Sequence, residues 1–286
     1  MRTHRRVVAA APALVGELLT GPARTVPVLH SGADAVYLDL RGSTPSITPS
    51  SAAPDLAVLG VLSTAATAVP CGLQTTLPRL PADVAGATRA VLGDGRVLLG
   101  GTEAVVTRTV DATVPRIPAA AVAPAARVLA EVVGDRSAGV RAELPPEALA
   151  ALAEGSAGCV PELLGRGSGL TPVGDDVLCG WLATTVATRA PVGSAAGTDL
   201  ADAVRRLAPA ATTALSATLL GCATRGEVLP QFRRLVLDLA DPAPDLDARV
   251  AVDVDALLRV GHTSGAGLLL GASIALHHLA SRSLTP

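Results

Sequence analysis

The sequence predicts an α+β protein in which a β-rich N-terminal half, a barrel or sandwich, precedes an all-helical C-terminal bundle. Three observations lead to this prediction. Short apolar runs between turns fill the first 118 residues, long segments with helical periodicity fill the rest, and no repeat of solenoid length occurs. The change of pattern after Pro118 predicts a β-rich domain over 1–118 and a helical domain over 119–286.

Two hairpins are expected in the first half. Val26–Leu29 and Ala35–Leu40 flank one glycine-containing turn, and Arg96–Leu99 and Ala104–Val110 flank another. Short strands with such turns are typical of a small barrel or sandwich. Residues 55–69 also fit a short helix, and this alternative stays open.

The second half is expected to consist of helices. One of them, over 227–240, places five apolar residues on one face at the 3.6-residue period: Leu229, Phe232, Leu235, Val236 and Leu239. Because aromatic residues make up only 1% of the chain, its core must be built from small aliphatic side chains. The predicted helices are Ala119–Val133, Pro145–Ala153, 172–189, 199–221, 227–240, 245–259 and 266–281.

Composition excludes several classes of protein. All 23 basic residues are arginine, which excludes a Walker A loop, a protein-kinase lysine and Schiff-base catalysis on lysine. A net charge of −2 and a near absence of aromatic residues argue against a nucleic-acid partner. No apolar run reaches the roughly 20 residues that a membrane span needs.

The cysteines show no disulfide or zinc pattern, since no Cys-x-x-Cys and no Cys/His cluster occurs. We expect them to be reduced and mostly buried in a cytoplasmic protein. A weak resemblance of the N-terminus to a secretion signal is interrupted by Pro12 and Glu17. The cysteines are Cys71, Cys159, Cys179 and Cys222.

The segment 165–176 is a glycine-rich loop that opens a helix. Thr171 and Pro172 are a typical helix start, because threonine caps free N–H groups and proline suits the first helical position. The glycines let backbone N–H groups approach a ligand closely. This is not a dinucleotide fingerprint, since Leu170 stands where a Gly-x-Gly-x-x-Gly motif counted from Gly165 needs glycine.

Asp175 and Asp176 fall in the first turn of that helix. One interpretation is that they only complement the helix dipole, worth about 0.3–1 kcal/mol each. The other is that one faces a site while its neighbour, about 100° away around the helix, orients a second group. Two carboxylates would repel a bound anion, so Arg166 or a divalent cation such as Mg²⁺ would have to offset them.

Residues 261–267 repeat the design of a small polar loop that leads into an apolar helix. His262 is either a helix cap or a hydrogen-bond donor and general acid or base. Thr263 and Ser264 are either hydroxyl donors to a ligand or plain caps. We expect the two glycine loops to face each other across one pocket, which would bring Asp175 or Asp176 within about 10 Å of His262.

A helix-to-helix corner lies between the two loops, at 222–227. Arg225 and Glu227 in this corner form either an ordinary surface pair or part of the same pocket. A nucleophile built from Cys179 or Cys222 is not expected, because neither residue has an activating motif.

These motifs together resemble the AllH-type family. Gly-Leu-Thr-Pro-x-Gly-Asp-Asp at 169–176, Ala-x-x-Gly-Glu at 223–227 and Gly-His-Thr-Ser-Gly at 261–265 stand in the order of that family, and the resemblance covers roughly 160–280. It implies a subunit of oxamate carbamoyltransferase, a multi-subunit assembly of allantoin degradation within purine catabolism. The reaction converts N-carbamoyl-2-oxoglycine and phosphate to oxamate and carbamoyl phosphate.

The resemblance also implies how the substrate would be held. Hydroxyl groups and His262 would stabilise the tetrahedral oxyanion, Arg166 would bind phosphate, and one Asp would accept from the carbamoyl NH₂ group. We therefore expect catalytic roles for Asp175, Asp176 and His262. Substrate contacts are expected from Arg166, Gly167, Ser168, Gly169, Thr171, Gly174, Glu227, Gly261, Thr263, Ser264 and Gly265.

The sequence departs from the family at two points. Val173 stands where a small hydroxyl residue is usual, and Ala266 and Gly267 stand where an Asp is usual. Two alternatives stay open: a non-catalytic ligand-binding or scaffold subunit, and a Mg²⁺-dependent hydrolase of small amide or ureido substrates. The expected partners are a carbamoyl or ureido compound, phosphate and other carbamoyltransferase subunits. The sequence demands no cofactor, although the paired Asp residues are compatible with Mg²⁺.

Overall fold

The computed structural model describes residues 4–41, 56–167, 169–188, 196–241 and 243–283, and the chain divides into compact units over 1–111 and 112–286. The predicted α+β class is confirmed, with a closed eight-stranded barrel in the first unit and a helical second unit. Of the two expected β architectures, the barrel is the one formed. The domain division after residue 118 stays a prediction.

The barrel strands run in the order β1-β5-β4-β3-β2-β6-β7-β8. β1 pairs in parallel with β8, and β4 with β5, while the other neighbours are antiparallel. Both predicted hairpins form, as β2–β3 and β7–β8. The elements of this unit are β1 Arg5–Pro12, α1 Ala13–Leu19, β2 Arg24–Ser31, β3 Ala35–Asp39, β4 Val58–Leu62, β5 Gly72–Thr75, α2 Ala82–Ala85, β6 Arg89–Gly93, β7 Arg96–Leu99 and β8 Thr102–Val110.

The short helix considered for 55–69 is not formed, because this part of the chain contributes β4 to the barrel. All five residues of β4 are buried, and the strand lies between β3 and β5. A strand buried on both faces lacks the alternation of polar and apolar residues that distinguishes a strand from a buried helix in sequence.

The helical unit contains the other predicted helices with small shifts at their ends, but the one expected over 199–221 is two helices, α8 and α9. Thr212 and Thr213 separate them. Thr213 Oγ1 accepts from the backbone N–H of Ser216 at 3.1 Å and so caps α9. The helices are α3 Ala119–Val133, α4 Ala138–Ala142, α5 Pro146–Ala153, α6 Val160–Leu163, α7 Val173–Thr188, α8 Ala196–Ala211, α9 Ala214–Thr224, α10 Pro230–Leu239, α11 Leu246–Leu258 and α12 Ser264–Ser283.

The predicted apolar face of α10 is confirmed, since Phe232, Leu235, Val236 and Leu239 are buried and Leu229, which precedes the helix, is partly buried. Within the described ranges, no helix combines the length and the apolarity needed to cross a membrane.

α7 and α12 cross with their backbones almost in contact. A Cβ atom on Gly180 would lie 2.1 Å from the carbonyl oxygen of Leu268, and one on Gly271 would lie 2.0 Å from that of Val177. Only glycine permits such an approach. This crossing brings the first turns of the two helices together, and both glycine loops lead into these turns.

A buried carboxyl pair joins α10 to α11. Asp238 lies 3.0 Å from Arg249 Nη1 and 3.5 Å from Arg234 Nε. Burial, followed by the hydrogen bond to Asp238, raises the pKa of Asp253. This pair lies on different helices from those that follow the two glycine loops.

Candidate functional site

The glycines of the first loop are held in their conformations by close neighbours. Gly165 and Gly167 have φ of +70° and +102°, a region that disfavours other residues. A Cβ on Gly165 would lie 2.4 Å from Ala211 O, and one on Gly167 would lie 2.9 Å from Val173 N. Both glycines are therefore required by the path of the chain. Ser168, an expected substrate contact, lies outside the described residues.

Asp175 fastens this loop to the turn between α8 and α9. Its carboxylate accepts from the N–H of Gly165 at 2.8 Å and from the hydroxyl of Thr212. Burial raises the pKa of Asp175, while the hydrogen bonds from Thr212 and Gly165 lower it. The next residue of the turn, Thr213, donates to Leu170 O at 2.7 Å. Asp175 thus holds the loop and has its acceptors engaged by the protein.

Asp176 has a different environment, as expected for adjacent residues on a helix. It is only 6% exposed, and its Oδ2 atom has no hydrogen-bond partner among the described residues. Burial raises the pKa of Asp176 to about 8; the charge of Asp175 adds to this effect, whereas the hydroxyls of Ser264 and Thr171 oppose it. A buried carboxyl oxygen without a partner is costly and is a feature of functional sites.

The two loops meet at Asp176. Thr171 Oγ1 in the first loop and Ser264 Oγ in the second lie 3.0 Å apart. Hydrogen bonds from both hydroxyls lower the pKa of the Asp176 carboxyl group. A Cβ on Gly267 would lie 2.8 Å from the Cβ of Asp176. Both helix N-termini therefore lie beside one buried acid, where their partial positive charges favour an anion.

The rest of the second loop is more open. The side chain of His262 is exposed and has no hydrogen bond to any of the residues described. Thr263 O accepts from Gly267 N at 2.9 Å, and Gly261 has a φ of +61°. A Cβ on Gly265 would lie 1.7 Å from Leu257 O, so this glycine is required for packing of α12 against α11.

Arg166 and Gly174, two other expected substrate contacts, have clear structural partners. The Arg166 side chain is half exposed and lies 3.9 Å from Glu162. Its carbonyl oxygen accepts from Gly174 N at 3.0 Å. A Cβ on Gly174 would lie 2.0 Å from Leu163 O. The positive φ of Gly169, +104°, has no such packing cause, because a Cβ there would lie no closer than 3.9 Å to any described atom.

The corner at 222–227 contains an ion pair. Arg225 Nη2 donates to Glu227 Oε2 at 2.8 Å and to Cys222 Sγ at 3.4 Å. Burial raises the pKa of Cys179 well above its ordinary value, and the nearby groups Asp176, Asp175 and Cys222 raise it further. A thiol in such surroundings is protonated and a poor nucleophile. None of the four cysteines, all of them in the described ranges, forms a disulfide.

The α8–α9 turn contributes to the candidate site, which the sequence pattern did not indicate. Thr212 and Thr213 hold the first loop, but a helix was expected to run through them. Two adjacent threonines after Pro209 were the available signal, because proline and β-branched residues weaken a helix. The sequence pattern also did not indicate Gly180 and Gly271, which set the crossing of α7 and α12.

Replacing Asp175 by alanine is expected to loosen the first loop. The change leaves the Gly165 N–H and the Thr212 hydroxyl without their acceptor, at a cost of about 1–3 kcal/mol for each group that stays buried. We expect a lower free energy of unfolding in urea and faster trypsin cleavage after Arg166, located by mass spectrometry. The matched control is Asp202→Ala, which removes an exposed ion pair with Arg205 and should cost under about 1 kcal/mol. Equal behaviour of the two variants would show that Asp175 does not hold the loop.

One comparison with known proteins finds a match, and it covers the region of the candidate site. No solved structure matches the chain significantly. The segment 163–276, which contains both glycine loops, the corner and the α8–α9 turn, matches the family model described as oxamate carbamoyltransferase subunit AllH, and the resemblance seen in the motifs is thereby confirmed.

Proposed function

We propose that this chain is a subunit of a carbamoyltransferase that converts N-carbamoyl-2-oxoglycine and phosphate to oxamate and carbamoyl phosphate. The observation that carries the proposal is that the matched segment 163–276 contains Asp175 and Asp176 together with Thr171, Thr212 and Ser264, whose hydroxyl groups interact with these acids. Two segments far apart in sequence place hydroxyl groups beside one buried acid, and this convergence supports a binding site for a small polar molecule.

The reaction needs groups that stabilise a developing negative charge. A phosphate oxygen attacks the ureido carbonyl carbon, the bond from that carbon to the oxamate nitrogen breaks, and that nitrogen takes up a proton. The tetrahedral intermediate carries an oxyanion, which preorganised donors stabilise. The hydroxyls of Thr171 and Ser264 and the N-termini of α7 and α12 are suited to this role. Arg166 and His262, both exposed, are proposed to reach phosphate from the rim.

A non-catalytic, ligand-binding subunit is the second candidate, and one observation favours it. His262, the proposed general acid or base, has no hydrogen bond to a described residue that would orient it. As a ligand-binding subunit, the chain would bind oxamate or the carbamoyl substrate, and other subunits of a cytoplasmic assembly in allantoin degradation would complete the catalytic site.

The third reading, a Mg²⁺-dependent hydrolase, receives less support from the side chains. Asp175 and Asp176 do not share a ligand position, because Asp175 is committed to Gly165 and Thr212. Within the described ranges, no three Asp, Glu, His or Cys side chains are grouped in a way that could hold a metal ion.

The proposal is tested by measuring carbamoyl phosphate formation from N-carbamoyl-2-oxoglycine and phosphate, with and without Mg²⁺. The chain is assayed alone and together with the subunits that co-purify with it. Activity of the complex that falls in a Thr171→Val/Ser264→Ala variant supports the proposal. Activity that survives this variant, together with oxamate binding by the chain alone, supports the ligand-binding subunit. Mg²⁺-dependent release of ammonia without carbamoyl phosphate would support the hydrolase. The absence of both turnover and ligand binding would overturn all three candidate functions.

A further inference from the structure

The site holds two adjacent acids where the helix N-termini favour an anion. If both acids were ionised, they would repel the carboxylate of oxamate or a phosphate group. A cation would then be needed to offset them. The surroundings of Asp176 show which of the two acids must be neutral for an anion to bind.

Asp175 can remain ionised without harm to a ligand. Its oxygens accept from Gly165 N–H and from the Thr212 hydroxyl, so its charge is directed toward the α8–α9 turn. These hydrogen bonds favour the charged form of Asp175 and oppose the rise in its pKa that burial causes.

No cationic side chain of the described residues acts on Asp176 to balance a negative charge. Among the described residues, the titratable groups that interact electrostatically with Asp176 are Asp175 and Cys179 on its own helix, and neither is cationic. From the second loop, the Ser264 hydroxyl lowers the pKa of Asp176, while the His262 side chain is exposed. Arg166 lies beside Glu162 instead. A buried carboxylate without a counter-charge is strongly disfavoured, and the neutral acid is the form that such a place stabilises.

We propose that Asp176 takes part in binding as a neutral carboxylic acid, which donates a hydrogen bond from Oδ2 to a carboxylate oxygen of the ligand. This inference rests on the proposed function, because it assigns a role to the same site. It names the ligand chemistry as an anion with a free carboxylate and excludes a divalent cation as the partner of Asp176. It also explains why Oδ2 has no partner among the described residues: its partner is the ligand.

The proposal predicts the pH dependence of oxamate binding to the full chain. The dissociation constant should not change with pH up to about pH 8. At higher pH it should rise about tenfold per pH unit, because binding then requires uptake of one proton. Asp176→Asn keeps an N–H donor, so it should weaken binding only severalfold and abolish the pH dependence. Asp176→Ala removes the donor and should weaken binding by about tenfold to a hundredfold. Thermal melts show that each variant is folded.

A second measurement needs no ligand. The infrared difference spectrum of wild type minus Asp176→Asn at about pH 7 should contain the carbonyl stretch of a protonated carboxylic acid. The same spectrum for Asp253→Asn identifies the signal of a second buried acid with a raised pKa, on a different helix. The absence of the Asp176 band would overturn the proposal. So would oxamate binding that requires Mg²⁺, or loss of binding in Asp176→Asn as large as in Asp176→Ala. If wild type binds no oxamate but the band is present, the proposed function fails while the neutral state of Asp176 stands.

Discussion

Gly271→Ala is expected to disrupt the helical unit strongly, because it adds a methyl group at the crossing of α7 and α12. The new Cβ would lie 2.0 Å from Val177 O and 2.8 Å from Trp181 N, both of which are backbone atoms of α7. Backbone inside a helix cannot move aside as a flexible side chain can, so α12 must shift as a whole. We expect a loss of more than about 3 kcal/mol in the free energy of unfolding.

The matched control is Gly139→Ala in α4. A Cβ at this glycine would have no atom within 4 Å. Alanine is the better helix former, so this variant should gain about 0.5–1 kcal/mol. Urea denaturation followed by circular dichroism compares the two variants. Similar stabilities would mean that α7 and α12 are not in backbone contact, and the convergence of the two loops would lose its structural basis.

Asp176→Asn is expected to stabilise the protein at alkaline pH. Burial raises the pKa of Asp176 from 3.8 to about 8, so the folded state holds a proton that the unfolded chain releases. The contribution of Asp176 to stability is therefore fully present below about pH 4 and is lost as pH rises to about 8, at up to about 1.4 kcal/mol per pH unit. The variant has no carboxyl group at this position, so its stability does not fall in this way. The free energy of unfolding of the variant should equal that of wild type at about pH 4 and exceed it by several kcal/mol at about pH 8.

The measurement is the free energy of unfolding in urea at several pH values, for wild type and Asp176→Asn. Asp253 contributes with the same sign, because its pKa is also raised, so both proteins should carry Asp253→Asn. A constant difference between them across the range would show that Asp176 is ionised in the folded protein. A gain in stability on removal of a site residue is the expected sign of a group retained for binding.

Much of the fold could be predicted from local signals. The turn-flanked strand pairs around 31–34 and 100–103 and the apolar face of α10 depend on neighbours in sequence, and all of them form. β4 could not be identified with certainty, because it is buried on both faces and has no alternation. The break between α8 and α9 was missed although Thr212 and Thr213 follow Pro209 closely; the acceptor of the Thr212 hydroxyl, Asp175, is distant in sequence and could not be foreseen.

The candidate site was predicted less completely. The motifs located both loops and led to the expectation that Asp175 and Asp176 differ, and the hydrogen bond between Thr171 and Ser264 joins the loops. Sequence alone could not show which Asp is committed to the backbone, since this depends on Gly165 and Thr212. It also could not separate glycines required for packing, such as Gly174 and Gly265, from glycines that would face a ligand.

The most direct test of the central claim is a calorimetric titration of the full chain with oxamate. The claim is that Thr171 and Ser264, brought together by α7 and α12, form one binding site with Asp176. Thr171→Val/Ser264→Ala is compared with Thr188→Val, which removes a hydroxyl that donates within α7, to the carbonyl oxygens of Thr184 and Thr185. We expect the double variant to raise the dissociation constant by about tenfold to a hundredfold, while the control matches wild type. Oxamate binding of equal strength in all three proteins would contradict it.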